Sequence, residues 1–151
     1  MNTHRVNGGC HCGNIVLRIE LTRAPGDYNP RACDCSFCRK HGASYVSDAQ
    51  GSLIIQIKDE REIAMYRQGS GLAECLVCRI CGVLTGACYR SDGQLYAAVN
   101  AKAVDDGTTF GAEQPVSPQQ LSAGDKQRRW KDLWFSGVKL VSMEPTIGDP
   151  Q

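Results

Sequence analysis

The sequence lacks the features that mark several large classes of protein. No apolar run approaches the about 20 residues that a transmembrane helix needs, and the polar start gives no sign of a secretory signal peptide. The 17 basic and 16 acidic residues leave a formal net charge of +1, so the charge balance does not indicate a nucleic acid or a membrane surface as a partner. We therefore expect a cytoplasmic protein that binds neither.

The chain also lacks internal repeats, low-complexity segments and a clear linker. Its 151 residues suit one domain of ordinary size. A chain of this length can bury roughly 70% of the surface that it exposes when unfolded, so a hydrophobic core is possible. We expect residues 1–151 to form a single domain.

Short β-type runs dominate the first two thirds of the chain. Apolar residues alternate with more polar ones from position 15 to position 21, which is the period of a half-buried strand. Further strands are predicted at 53–57, 63–66, 83–89, 95–99 and 138–143. The tripeptide Ser91-Asp92-Gly93 indicates a hairpin turn. The pattern predicts a mainly β protein with little helix.

Little of the remaining sequence is typical of helix. Residues 38–41 fit a single helical turn with Ser36 as its cap. The stretch 101–124 is rich in Gly, Asp and Pro and is predicted to be a loop. A short helix is predicted at 126–135, with Trp130, Leu133 and Trp134 on one face.

The chain contains nine cysteines, and seven of them fall into three short clusters. Where thiols stay reduced, clustered cysteines indicate metal or redox chemistry rather than disulfides. Zinc takes four ligands in a closed structural site, and three plus an open position in a catalytic one. Seven ligands divide naturally into four and three, so we expect two Zn²⁺ ions per chain.

The outer two clusters pair naturally. Cys10 and Cys12 form one pair and Cys78 and Cys81 the other, and glycine directly follows each pair. Glycine lets the backbone turn sharply and point amides at the sulfurs. We predict that these four cysteines hold a structural zinc, which can contribute ~10 kcal/mol or more of apparent folding free energy. The alternative is two unrelated pairs of small buried side chains.

Cys33, Cys35 and Cys38 come from one loop and can cover one face of a tetrahedron. The fourth position of a zinc held there would be free for water or a substrate thiol, and a metal-bound thiol is deprotonated at neutral pH. One alternative is that Cys75 or Cys88 completes a closed site. Another is a redox trio that forms a disulfide when the metal leaves. We expect Cys75 and Cys88 to be packed as small hydrophobic side chains.

Basic residues occur at two places that bear on this site. Arg39 and Lys40 follow the three cysteines directly, where they would either offset thiolate charge or grip an anionic substrate. A second basic stretch lies near Trp130, and we interpret it as a solvated helix face. It consists of Lys126, Arg128, Arg129 and Lys131.

The three histidines offer no obvious catalytic base. His4 is expected to be disordered, His11 to point away from the metal between two ligands, and His41 to face solvent. No carboxylate is placed convincingly near the three cysteines either, so the general base stays unassigned.

The three clusters, in this order and with these neighbours, resemble the family of glutathione-dependent formaldehyde-activating enzymes and centromere protein V. The resemblance spans about residues 9–99. It is carried by Gly9-Cys10-His11-Cys12-Gly13-Asn14-Ile15, Cys33-Asp34-Cys35-Ser36-Phe37-Cys38-Arg39-Lys40 and Cys78-Arg79-Ile80-Cys81-Gly82-Val83.

The resemblance implies a β-tent fold stabilised by a structural zinc. By position, Cys10, Cys12, Cys78 and Cys81 match the ligands of that zinc. Cys33, Cys35 and Cys38 match the ligands of a second, catalytic zinc that faces the substrate. The implied activity is a carbon–sulfur lyase reaction, the condensation of formaldehyde with glutathione to S-(hydroxymethyl)glutathione and its reverse. The substrate could also be a related thiol adduct. Two further hypotheses remain open: a non-catalytic zinc-binding scaffold or interaction module, and a thiol redox or metal sensor.

Overall fold

The computed structural model describes residues 3–105 and 107–142, which contain eleven strands and two α-helices. The strands are β1 (His4–Gly9), β2 (Ile15–Leu21), β3 (Arg31–Cys33), β4 (Tyr45–Val46), β5 (Ser52–Ile57), β6 (Ile63–Arg67), β7 (Glu74–Cys78), β8 (Leu84–Ser91), β9 (Gln94–Asn100), β10 (Gln114–Val116) and β11 (Lys139–Ser142). The helices are α1 (Ser36–His41) and α2 (Ala123–Leu133). The mainly β prediction is confirmed.

The smaller sheet has four strands in the order β1-β2-β5-β11. Strand β2 pairs antiparallel with both β1 and β5, and β11 pairs parallel with β5. The alternation predicted for 15–21 is confirmed, because Ile15, Leu17, Ile19 and Leu21 are all buried whereas Arg18 is exposed. One face of this sheet therefore packs against the rest of the molecule.

The larger sheet has seven strands in the order β10-β3-β4-β9-β8-β7-β6. Its neighbouring strands all pair antiparallel, except that β10 pairs parallel with β3. The predicted hairpin joins β8 to β9, and its turn residues Asp92 and Gly93 have φ angles of 53° and 78°. Asp-Gly suits such a turn because both positions require positive φ.

The larger sheet separates two clusters of buried side chains. Cys88 of β8 belongs to the cluster that also contains Phe135 and, from the smaller sheet, Leu17 and Ile55. Its neighbours Ala87 and Tyr89 belong to the other cluster, with Trp130 and Trp134. Successive strand residues point to opposite faces, so one cluster lies between the sheets and the other between the larger sheet and α2.

Several sequence predictions need correction near the two ends of the chain and in the segment 101–124. The polar start forms β1, and His4, expected to be disordered, pairs with Leu21. The predicted loop 101–124 contains β10 and the beginning of α2. The last strand, predicted at 138–143, is Lys139–Ser142; Met143 lies outside the described residues.

Both helices differ in detail from the prediction. Helix α1 is capped by Cys35 rather than Ser36, since the Cys35 Sγ accepts the backbone N–H of Cys38. Helix α2 begins three residues earlier than predicted, because the Ser122 side chain caps it. Trp130 and Trp134 are buried as predicted, but Leu133 is 39% exposed and does not share their face.

Candidate functional site

Four cysteines meet where the two sheets come together at one end. Cys10 and Cys12 lie in the turn between β1 and β2, Cys78 ends β7, and Cys81 lies in the following turn. The four Sγ atoms all lie within 4.8 Å of one another. We call this set the four-cysteine cluster.

The spacing of these sulfur atoms fits a tetrahedral metal site. The Cys12 Sγ lies 3.7 Å from the Cys10 Sγ and 3.6 Å from the Cys78 Sγ. Zinc–sulfur bonds of about 2.3 Å in a tetrahedron place neighbouring sulfurs about 3.8 Å apart. The four-cysteine cluster could therefore hold a zinc ion with little rearrangement.

Backbone turns hold the cluster in place. Gly13 and Gly82, which follow the two cysteine pairs, have φ angles of 88° and 81°. The Cys10 Sγ accepts the Ile15 amide at 3.2 Å. Burial raises the pKa of Cys81, but backbone amides near it prevail and lower the pKa to about 6. The turn therefore favours the thiolate that a metal needs.

The other set, the three-cysteine cluster, forms where β3 ends and α1 begins. It consists of Cys33, Cys35 and Cys38, whose Sγ atoms lie within 4.8 Å of one another. A hydrogen bond with Cys38 lowers the pKa of Cys33 to about 6 against the effect of burial, and the same bond raises the pKa of Cys38. The shared hydrogen bond therefore favours one thiolate within the cluster.

Polar side chains contact the buried sulfurs of this cluster. The Tyr45 hydroxyl lies 3.2 Å from the Cys38 Sγ. The Gln68 side-chain amide donates to the Cys35 Sγ at 3.6 Å. Cys35 and Cys38 are only 5% and 4% exposed. The sulfurs are thus fixed from several directions.

The three-cysteine cluster opens into a cavity of about 450 Å³. The opposite wall comes from α2 and the residue that follows it, where Trp130 and Trp134 stack with ring centroids 5.2 Å apart. The end of β10 and the segment after it close one side through Val116, Pro118 and Leu121. None of the four-cysteine cluster lines this cavity. The two clusters therefore differ in access as well as in ligand number.

Asp34 ties the segment after β10 to the three-cysteine cluster. Its carboxylate accepts the Ser117 hydroxyl at 2.5 Å and the Gln119 side-chain amide at 3.1 Å. Its backbone N–H donates to the Val116 carbonyl. Sequence reasoning missed this role, because the partners lie more than 80 positions away.

The basic residues of α2 divide between cavity and solvent. Lys126 and Arg129 are half-buried and line the cavity. Arg128 and Lys131 are exposed and pair with Asp125 and Asp92 respectively. The interpretation of the whole stretch as a solvated face is therefore wrong for two of its four members.

Arg31 is a cavity residue that the sequence did not single out. It is half-buried in β3, and its guanidinium donates to the Ser47 hydroxyl at 2.7 Å. Burial, together with the nearby charge of Arg129, lowers its pKa to about 10. Arg31 and Cys33 are two positions apart on one strand and so share a face, which is the signal that sequence analysis could have used.

The basic residues that follow the three-cysteine cluster, and the two histidines near the clusters in the sequence, are exposed to solvent. Arg39 and Lys40 are exposed and are not among the residues that line the cavity. His11 is exposed, and His41 faces solvent as predicted, with its ring centroid 4.7 Å from that of Phe37.

The two remaining cysteines have different surroundings. Cys88 is 3% exposed between the sheets. Cys75 is 7% exposed and lines the cavity, and burial and the Cys35 and Cys33 thiols raise its pKa to about 11. Within the described residues, neither sulfur belongs to a set spaced for shared metal binding. Both are buried, as expected.

The fold and the two cysteine clusters together define a mainly β protein with two candidate metal sites. Comparison with family models makes this more specific. The model described as glutathione-dependent formaldehyde-activating enzyme matches residues 5–120, and the chain belongs to this family.

The chain is also similar to a solved structure. A crystal structure of a Rhodobacter sphaeroides protein shares 31% sequence identity, with a TM-score of 0.52. The similarity covers 68% of this chain and 90% of that one. No curated protein matches the chain. Among the described residues, no helix is long and apolar enough to cross a membrane.

Proposed function

We propose that the protein condenses formaldehyde with glutathione to S-(hydroxymethyl)glutathione and catalyses the reverse reaction, as a carbon–sulfur lyase. Membership in the formaldehyde-activating family supports this reaction class. The observation that carries the proposal is the opening of the three-cysteine cluster into a cavity of about 450 Å³. A cluster with three thiols and space beside them suits a catalytic metal, whereas a structural site is closed.

We further propose two zinc ions per chain with separate roles. The four-cysteine cluster would hold a structural ion, and the three-cysteine cluster would hold the catalytic one. The sulfur spacing in both clusters supports metal binding, and the difference in ligand number, four against three, supports this division. All nine cysteines are free, and metal ligation requires thiolates, so a reducing, cytoplasmic location is part of the proposal.

The reaction itself needs little beyond a thiolate and proximity. Cys33, Cys35 and Cys38 would hold the zinc ion, which would supply a position where a bound thiol is deprotonated at neutral pH. The glutathione sulfur attacks the aldehyde carbon, a C–S bond forms, and the carbonyl π pair moves to oxygen. The proton lost from the thiol ends on that oxygen, so the adduct is a neutral hydroxymethyl thioether.

The chain contributes position and enclosure. Gln68 and Tyr45 hold the sulfurs of Cys35 and Cys38, which fixes the direction in which the cluster faces the cavity. The stacked Trp130 and Trp134 exclude water from the opposite wall. Holding both reactants in one enclosed space raises their effective concentration.

The open cavity favours the enzyme hypothesis over a scaffold role, because a purely structural cluster does not need a cavity beside it. The location of Cys75 on the same cavity wall is the one observation that favours a redox sensor. A sensor would release its zinc reversibly under mild peroxide treatment. The enzyme hypothesis expects the zinc to be retained.

The direct test is exchange NMR on formaldehyde plus glutathione with the zinc-loaded protein. The uncatalysed condensation proceeds by itself, so acceleration above that background is the readout. We expect acceleration with the native protein and with Cys88→Ala, and none with Cys35→Ser. If zinc is bound at both clusters and the native protein gives no acceleration, the proposed reaction is wrong.

A further inference from the structure

The charges around the cavity are unbalanced. Three basic side chains line it: Arg31, Lys126 and Arg129. Among the described residues that line it there is no aspartate or glutamate. Three thiolates on one Zn²⁺ would carry a net charge of −1, whereas three basic side chains line the cavity. The cavity therefore keeps a surplus of positive charge.

Arg31 contributes a charge that its own surroundings leave unpaired. Its one hydrogen bond within the described residues goes to the neutral Ser47 hydroxyl, and it takes part in none of the ion pairs there. A half-buried guanidinium beside a second cation loses hydration without gaining a counter-charge. Such an arrangement is retained where an anionic ligand supplies the missing charge.

Arg129 faces the same space from the opposite side. It and Lys126 lie three positions apart on α2, close to Trp130, and so share the helix face that covers the cavity. Neither takes part in an ion pair within residues 3–105 and 107–142, whereas Arg128, one position away, pairs with Asp125. The helix thus turns its unpaired cations inward and its paired ones outward.

We propose that Arg31 and Arg129, with Lys126 beside them, form a carboxylate-binding subsite in the cavity. A planar guanidinium binds a carboxylate through two parallel hydrogen bonds, which fixes orientation as well as charge. This inference rests on the proposed function, because it assumes that the cavity holds the thiol substrate. The subsite selects thiols that carry a free carboxylate and rejects the same molecules once esterified.

The role of the two arginines is to position the substrate. With the carboxylate held by β3 and α2, the thiol of a peptide-sized molecule extends toward the three-cysteine cluster. A small neutral thiol would reach the sulfurs but would lack this second anchor. Loss of one arginine should therefore raise KM for glutathione and leave kcat much less affected.

The test separates binding from reaction by using S-methylglutathione, which keeps both carboxylates but has no free thiol. Its affinity for the zinc-loaded protein is measured by calorimetry and by tryptophan fluorescence. We expect Arg129→Gln to weaken binding by about 10-fold or more, the loss of one charge-assisted hydrogen bond. Arg129→Lys should restore part of the affinity. The matched control Arg128→Gln should bind like the native protein, and the dimethyl ester of the probe should bind weakly to all of them.

The outcomes distinguish this inference from the proposed reaction. Acceleration of formaldehyde exchange together with equal affinities of native and Arg129→Gln protein overturns the subsite and leaves the reaction standing. Affinity that depends on Arg129, without acceleration, supports the subsite and overturns the reaction. No binding of S-methylglutathione by the native protein at millimolar concentration also overturns the subsite. Arg31→Lys serves as the second variant, because it keeps the charge of a side chain that Ser47 holds in place.

Discussion

The two cysteine clusters differ in what surrounds their sulfur atoms. The four-cysteine cluster joins the turn after β1 to the end of β7, so it links the two sheets through residues such as Cys12 and Cys78, which are 66 positions apart. The three-cysteine cluster takes all its sulfurs from one short segment, and it borders a cavity with basic and aromatic walls. Ligand number alone suggests two roles. From the surroundings, we propose that one cluster is a cross-link and the other a reaction site.

The largest expected effect is on stability, and it comes from Cys78→Ser. Cys78 is fully buried at the end of β7, and its loss removes one of four ligands from the cross-link. Because structural zinc can contribute about 10 kcal/mol of folding free energy, we expect the domain to unfold. Circular dichroism and zinc content are the measurements. The matched control is Cys88→Ser, a buried cysteine of the same core outside both clusters, which should remain folded.

Cys35→Ser should abolish catalysis without unfolding the protein. We expect the variant to stay folded, to lose one of two zinc ions, and to return formaldehyde–glutathione exchange to its uncatalysed rate. The fold should tolerate the change because Cys35 caps α1 through its Sγ and serine is a favoured cap residue. If Cys35→Ser and Cys78→Ser unfold to the same extent, the division into cross-link and reaction site is wrong.

Substitution of Asp48, a buried carboxylate away from both clusters, is expected to lower stability by a smaller amount and to leave the metal sites unchanged. Burial raises the pKa of Asp48, but hydrogen bonds from Thr22, Tyr28 and the Gln50 amide prevail and lower it to about 2. A carboxyl whose pKa is depressed on folding stabilises the protein above its unfolded pKa of about 4. That contribution, about 2 kcal/mol at neutral pH, is lost as the pH falls from about 4 to 2.

Urea unfolding of Asp48→Asn tests this. We expect a loss of about 2 kcal/mol at pH 7 and the same loss at pH 6, because the carboxyl is ionised in the folded and unfolded states at both pH values, with zinc content unchanged. The exposed Asp27→Asn should be neutral at both pH values. A loss of zinc on substitution of Asp48 would show that the metal sites depend on this network after all.

The smallest effect is expected from Arg39→Gln. Arg39 is exposed and does not line the cavity, although it follows the three-cysteine cluster directly. Stability and KM for glutathione should stay within experimental error of the native values, since exposed charges contribute little. A KM increase comparable with that of Arg129→Gln would show that the anionic substrate binds on the α1 side of the cluster.

The elements that sequence analysis recovered are those with strong local patterns. Strand β2 alternates, the β8–β9 hairpin has its Asp-Gly turn, and the cysteines have metal-ligand spacing within a few residues of one another. Strands β1, β3, β4, β7 and β10 were missed. Of these, β1 and β10 lie at sheet edges and carry few apolar residues. Each is held by pairing with a partner strand, which local composition does not encode.

The same reason limited prediction of the candidate site. The three thiols could be found from spacing, but Arg31 and Arg129 meet only because β3 and α2 face each other across the cavity. Ninety-eight positions separate these two residues in the chain. Adjacency in sequence favoured Arg39 and Lys40 instead, and the fold directs both to the exterior. Contacts between distant elements are what a single sequence conveys least.

The most direct test of the division between the clusters is the absorption of cobalt-substituted protein titrated with glutathione. We expect two bound cobalt ions, a spectral change from one of them on addition of glutathione, and no change in Cys35→Ser. A spectrum that glutathione leaves unaltered, with both ions bound, would show that the three-cysteine cluster has no open position and is not the reaction site.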